Sequence, residues 1–242
     1  MERSRRGNTE SVDNYLKALL VLEETAIEGA ASPARITVKA MAAELRVAPA
    51  SVTNMLQKLA AARAPMVEYE RHRGVRLSRA GRRRALEVVR HHRLIETFLY
   101  EMLDYPIDEL HDEAERLEHF ISERFEQRIA AKLGHPRTDP HGHPIPAIDG
   151  RMAPRTSMPL ADVDGDGTFV VESLNDRDAG LLRRMQTRGV APGAKIDVQR
   201  RAGSDVFRVR VGRSRRPFEL AGEATHSVRL ARPASRRGSK RR

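Results

Sequence analysis

The chain has no cysteine and no tryptophan in its 242 residues. That excludes a disulfide framework, a thiolate metal site and a cysteine nucleophile, so any metal has to be held by nitrogen and oxygen. Aromatic residues make up only 4%, too few for the stacking platforms on which single strands of nucleic acid bind. No run of about 18 apolar residues occurs, and the opening "MERSRRGNTESVDNYL" lacks the apolar stretch of a signal peptide. The expectation is a soluble, cytoplasmic protein with no membrane partner. Acidic charge is also short: 33 Asp and Glu stand against 44 Lys and Arg, giving a net charge of +11.

The deficit of acid is uneven. Residues 1–90 carry a net charge of +7, residues 91–130 carry −7, and the remainder carries +11. A basic first part suits a polyanion, and an acidic middle suits a cation.

What is present reads as helix, helix, helix, hairpin. "TESVDNYLKALLVLEETA" has helical spacing at Tyr15, Leu19 and Leu22, with Thr9 or Ser11 as the expected N-cap. After the interruption at "SPAR", "ITVKAMAAEL" is a second helix, "RVAPAS" a tight turn and "ASVTNMLQKLAAA" a third helix ended by Pro65. "MVEYERHRGVRLS" then alternates about "HRG" as a two-stranded hairpin. This order is that of a winged helix–turn–helix. Seven arginines and no acid lie between Arg71 and Arg84, a density suited to tracking phosphates. The third helix offers Ser51, Thr53, Asn54, Gln57 and Lys58, small, amide or basic side chains able to reach base edges. Thr37 at the start of the second helix, Pro49 and Ala50 in the turn, and Arg71 and Arg73 in the wing complete the expected contact set for double-stranded DNA.

A long helix is expected from about Arg79 to Leu103, broken by Pro106, with Asp108 capping another that continues to about Leu133. In that second segment His111, Glu115, Glu118 and His119 share a stripe about 100° wide beside an apolar arc of Leu110, Ala114, Leu117 and Ile121. Upstream, His92 and Glu96 stand one turn apart. Packed antiparallel, the two helices would bring together six nitrogen and oxygen donors, a set suited to Mn²⁺ or Fe²⁺. The rival reading is a solvated face of acid–base pairs. It weakens because carboxylates beside a buried stripe are costly without a cation.

Enzymatic motifs fall short. "ERLEH" has Glu115 where an inverted zincin helix needs histidine. "DVDGDG" opens like a calcium loop but has Ser173 at the twelfth position, so a turn before a strand is expected. His135, His141 and His143 lie in the Pro- and Gly-rich stretch 134–158, read as loop or linker. The strand-like runs after it, around one helix at "DRDAGLLRRMQTRG", fit a small SH3-like β-barrel.

Taken in order, "DNYLKALLVLEE", "APASVTNMLQKL", "HRGVRLSRAGRR", "HHRLIETFL", "LHDEAERLEH" and "DPHGHPIP" resemble the diphtheria-toxin-repressor family of iron- and manganese-dependent repressors. The resemblance runs from Ser11 to about Arg232. It implies a mainly α chain with a small β-barrel: a winged helix–turn–helix domain at 1–82, a helical metal-binding and dimerisation domain with Pro-rich linker at 83–150, an SH3-like (FeoA-like) domain at 151–232 and a disordered basic tail at 233–242. It implies a homodimer reading an inverted repeat, and no enzymatic activity. His92, Glu96 and His111 match the family's ancillary ligands, and Glu118 and His119 its primary ones. Glu115 stands where iron-type members have cysteine and manganese-type members glutamate. Asn14 falls at the first-helix ligand, Lys17 where some manganese-type members offer a second carboxylate, and Asp178 near a β-domain ligand. The expected cofactor is Mn²⁺, with Fe²⁺ the alternative. The expected role is repression of metal-homeostasis genes. A structural metal in the same kind of regulator and a metal-dependent hydrolase or oxidase are the rival functions.

Overall fold

The computed structural model describes residues 2–27, 35–153, 157–201, 203–212 and 216–233, with first-helix side chains from 10 to 26. The basic tail lies outside the described residues from 234 on, as do most of "SPAR" and the side chains of "RSRR". Two compact units emerge: Met1–His92 with Leu117–Glu123 and Pro146–Arg151, and Arg93–Arg116 with Arg124–Ile145 and Met152–Arg242.

In the first unit, α1 (Glu2–Ile27) packs against α2 (Val38–Leu45), and α2 against α3 (Pro49–Ala61). Leu16, Leu19 and Leu20 of α1, Met41 of α2, and Val52 and Leu56 of α3 are buried almost completely, one apolar stripe per helix. α1 starts well upstream of the expected cap at Thr9 or Ser11. The helix runs on through Gly7 and Asn8 with no proline to stop it. Thr37 caps α2, its hydroxyl accepting the Ala40 N–H at 3.1 Å, and Pro49 occupies the first turn of α3.

The wing is the antiparallel pair β1 (Val67–Glu70) and β2 (Gly74–Leu77). Ile36 adds a third rung by exchanging backbone hydrogen bonds with Val75 at 2.8 and 2.9 Å. Gly74, at φ +94°, is required there, since a Cβ would stand 2.6 Å from the Ile36 carbonyl. The wing is tied to α1 by Glu23, whose buried carboxylate accepts the Leu77 N–H at 2.6 Å and pairs with Arg82 at 3.2 Å. Burial raises the Glu23 carboxyl above its ordinary value, against the opposing pull of the Leu77 N–H and Arg82. α4 (Arg79–Leu103) follows directly, and the boundary between the units falls within it.

The expected single helix from Asp108 to Leu133 is two: α5 (Leu110–Leu117) and α6 (Glu123–Lys132). Between them the Phe120 N–H returns to the Leu117 carbonyl at 2.9 Å. In a continuous helix Glu118 and His119 would diverge by about 100°; the turn lets both side chains be buried in one place. Leu117, expected inside, is 37% exposed because the helix ends there. Asp108 pairs with Arg183 at 3.1 Å and is not adjacent to the start of α5.

In the second unit Leu94 of α4, Ile129 and Ala130 of α6, and Ile145 form a small core. The larger core belongs to a six-stranded antiparallel sheet, ordered β3 (Met158–Pro159), β8 (Val228–Ala231), β4 (Gly167–Leu174), β5 (Lys195–Arg200), β6 (Phe207–Val211) and β7 (Phe218–Leu220). α7 (Ala179–Thr187) contributes Leu181, Leu182 and Met185 to it, and α8 (Glu223–Ser227) precedes the last strand. This is the SH3-like domain expected from the strand spacing. Removing the Glu23 carboxylate (Glu23→Ala) should leave the Leu77 N–H buried and unbonded, lowering urea-unfolding stability by about 1–3 kcal/mol and speeding amide exchange in the hairpin.

Candidate metal centre

α1 places Asp13 and Lys17 one turn apart, and α4 places Arg84 and His92 about two turns apart. Arg84 grips both oxygens of Asp13, Nε to Oδ1 at 2.8 Å and Nη2 to Oδ2 at 2.7 Å. Asp13 Oδ2 lies 3.7 Å from His119 Nδ1, and His119 Nε2 lies 3.4 Å from Glu118 Oε1. Glu118, its side chain fully buried, takes the Lys17 ammonium on both oxygens, at 2.8 and 3.1 Å. His92 Nδ1 stands 2.5 Å from Glu118 Oε2 and 3.0 Å from Lys17 Nζ.

Burial alone would raise both carboxyls. The His119 and Arg84 contacts outweigh it at Asp13, and the His92 contact and the Lys17 charge outweigh it at Glu118, so both stay below the usual range. Burial would lower His119, but the nearby carboxylates of Asp13 and Glu118 raise it. Asp13, taken by Arg84, thus stands behind His119 and orients it.

Asn14 Oδ1 and both ring nitrogens of His119 are buried without a hydrogen-bond partner. Such atoms cost about 1–3 kcal/mol each when nothing answers them. His119, Glu118 and His92 form a chain of nitrogen and oxygen donors, and a hard or borderline divalent ion suits such donors.

The second unit holds another cluster. His111 Nδ1 lies 3.9 Å from Glu96 Oε1 and 3.6 Å from Asp176 Oδ2. His141 Nδ1 lies 3.6 Å from Glu96 Oε1, and His143 Nδ1 lies 3.7 Å from Asp176 Oδ2. Glu115 approaches His111 Nε2 at 3.9 Å. The stretch read as linker is what delivers His141 and His143. Asp139 Oδ1 accepts the backbone N–H of both, at 2.9 Å each, folding "DPHGHP" into a tight turn. Its His141 carbonyl accepts the Leu174 N–H of β4 at 2.9 Å. At Gly142 a Cβ would stand 2.0 Å from the Glu172 carbonyl.

Burial would lower His141, but hydrogen bonding to Glu96 and its charge, with those of Asp176 and Asp139, push it up to about 9. Burial would raise Asp176, yet the hydrogen bond from His111 and the charges of the facing histidines hold it well below the usual carboxylate range.

Of the residues singled out from the sequence, the first unit therefore brings together His92, Glu118 and His119, and the second Glu96, His111 and Glu115. Asp178 does not join either group. It is the N-cap of α7 and accepts the Leu181 N–H at 2.8 Å. Asp176, two residues earlier, is the carboxylate at His111, and it was missed together with His141 and His143. Capping preference is the signal that separates the two aspartates, since a residue directly before a helix serves its backbone.

On the helix–turn–helix, Thr37, Pro49, Ala50, Ser51, Asn54, Gln57 and Lys58 are exposed. Thr53 is half-buried and donates to the Pro49 carbonyl at 3.1 Å. Arg71 and Arg73 are exposed at the hairpin turn, Arg73 pairing with Glu70 at 2.9 Å. Arg76, Arg82 and Arg84 face Glu68, Glu23 and Asp13, so the arginine run divides between surface and scaffold.

Residues 8–75 match the family model described as the iron dependent repressor N-terminal DNA binding domain. Residues 78–147 match the iron dependent repressor metal binding and dimerisation domain, and 158–217 match the FeoA domain. The iron-dependent repressor IdeR of Mycobacterium tuberculosis is 28% identical over 236 residues, covering 91% of this chain and 96% of that protein. A solved manganese-dependent transcriptional repressor, described as a complex with manganese, superposes with a TM-score of 0.81. It is 33% identical and covers 92% of this chain and 100% of its own. The structure of ScaR with bound Zn²⁺ has a TM-score of 0.76 at 27% identity, covering 92% and 99%.

His141 yields a pH test. Its folded pKa of about 9 lies above the ordinary 6.5, so its contribution to stability is complete below pH 6.5 and is lost as pH rises through about 9. Urea unfolding in chelator should show stability falling across that window by up to about 3 kcal/mol, and His141→Gln should flatten the slope.

Proposed function

The chain belongs to the iron-dependent repressor family of metal-dependent, DNA-binding transcriptional repressors, and on that premise we propose that it is a manganese-responsive repressor of metal-homeostasis genes. The observation that carries this reading is the first unit's donor set. Asn14, His92, Glu118 and His119 are all nitrogen or oxygen ligands, and the buried Asn14 oxygen has no protein partner. Without sulfur, the set favours Mn²⁺ over softer ions. The sequence resemblance adds Glu115. The similarity to a repressor described as complexed with manganese supports the same choice.

A bound divalent ion supplies the concentrated positive charge that can engage these donors at once. Asn14 belongs to α1, which packs on α2 and on the wing strand β2, while His92 belongs to α4. Shared ligation therefore fixes α1 against α4, beside the Asp13–Arg84 pair that already joins them. Because α3 hangs on α1 through α2, that fixes the reading helix as well. In the homodimer that the dimerisation domain implies, the two reading helices are then held at one separation on an inverted repeat. The second-unit cluster of Glu96, His111, His141, His143 and Asp176 is a further site for an ion of the same class.

Duplexes selected in vitro with Mn²⁺ present should be inverted repeats. On them Mn²⁺ should tighten binding by roughly 5–150-fold, the span of ordinary allosteric coupling, with reversal by chelator, as read by fluorescence anisotropy. Replacing Glu118 and His119 by alanine should abolish that gain. Stronger activation by anaerobic Fe²⁺ at equal free ion would assign iron instead, and metal-independent binding would make the ion structural. On the same duplexes Asn54→Ala should reduce discrimination between sequences. Arg73→Ala should instead weaken binding to all of them and lower the salt slope by about 1.

A further inference from the structure

The Lys17 ammonium has the surroundings of a bound cation. Its Nζ touches both oxygens of Glu118, at 2.8 and 3.1 Å, and stands 3.0 Å from His92 Nδ1. Two carboxylate oxygens and an imidazole nitrogen are a small divalent ion's preferred company, and Glu118 and His92 belong to the donor set described above. The amine is a compact point charge on a four-carbon stem. Its side chain keeps 14% of its surface exposed while that of Glu118 has none, so the stem can swing outward where the carboxylate cannot.

We propose that Lys17 is a tethered cation that neutralises Glu118 until a divalent ion displaces it, and thereby sets the ion concentration at which the first-unit site fills. The inference rests on the reading that Glu118 and His119 hold that ion. Two effects act in one direction. Entry of the ion forfeits the Lys17–Glu118 contact, and an ammonium kept nearby repels the newcomer. Together they weaken ion binding relative to the same donors without the lysine. In exchange Glu118 is never left as a buried, unanswered carboxylate, which would destabilise the empty fold. Lys17 also brings a cation where a carboxylate could support a second ion, so the first-unit site takes a single ion.

The test compares wild type with Lys17→Met, which keeps the stem and removes the charge, and with Lys17→Gln in case the first folds poorly. Free Mn²⁺ is counted by its EPR signal during titration, and melting temperature is measured in chelator. Glu118→Ala, titrated alongside, identifies which binding belongs to this site. Removal of the charge should tighten Glu118-dependent Mn²⁺ binding at least tenfold with unchanged stoichiometry. It should lower the melting temperature in chelator, a loss that saturating Mn²⁺ recovers. Unchanged or weaker Mn²⁺ binding in both lysine variants, with wild-type binding still dependent on Glu118, overturns the role of Lys17 alone. Absence of any Glu118-dependent binding in wild type overturns the ion site together with it.

Discussion

A carboxylate buried as completely as that of Glu118 has to be answered by positive charge, because the idealised cost of an unpaired ion in a protein interior is tens of kcal/mol. Much of the first unit follows from that requirement. The turn after α5 delivers Glu118, α1 delivers Lys17 to both its oxygens, and α4 delivers His92 to the same atoms. The neighbouring pair repeats the logic with different chemistry. Arg84, whose planar fork matches a carboxylate, holds Asp13 with two charge-assisted bonds. Asp13 is held by a planar guanidinium, whereas Glu118 is held by an amine on a four-carbon stem.

The second unit meets the same requirement with protons. Glu96 faces His111 and His141, and Asp176 faces His111 and His143. Glu96, with Asp176 and Asp139, favours the charged form of His141 and lifts it to about 9. An ion bound here, as proposed, would have to displace the His141 proton, because imidazole ligates in its neutral form. In the first unit the proposed ion would displace the resident charge of Lys17 as well as any proton on its two histidines.

Local periodicity made the helices and the wing legible. Apolar residues at helical spacing mark α1 to α4, and alternation about "HRG" marks the hairpin. His92, Glu96, His111, Glu118 and His119 stood out for the same reason, since helical spacing puts chemically alike residues on one stripe. What escaped depends on interactions distant in sequence. The break at 118–122 has neither glycine nor proline to announce it; it exists because burying Glu118 and His119 beside α1 outweighs another helical turn. His141 and His143 reside in a Pro-rich stretch whose order comes from Asp139 and from a backbone bond to β4. Asp176 and Asp178 are chemically identical and two residues apart, and only the start of α7 distinguishes cap from cluster.

The arginines between Arg71 and Arg84 show how far composition carries a functional argument. Seven like charges in fourteen residues read as a single polyanion-binding run, yet three of them turn to Glu68, Glu23 and Asp13. The first joins the two wing strands and the other two fasten α4 to α1, while Arg71 and Arg73 stay exposed at the hairpin turn. The division has a physical consequence for DNA binding. Exposed arginines supply attraction that counterion release makes salt-dependent, whereas the paired ones fix where that attraction is applied. Glu23 ties both the wing, through Leu77, and α4, through Arg82, to α1, and the Arg84–Asp13 pair beside His119 joins the same two helices. The wing and the proposed ion donors thus share one α1–α4 scaffold, and under the proposed function an ion bound there would act on the wing through it.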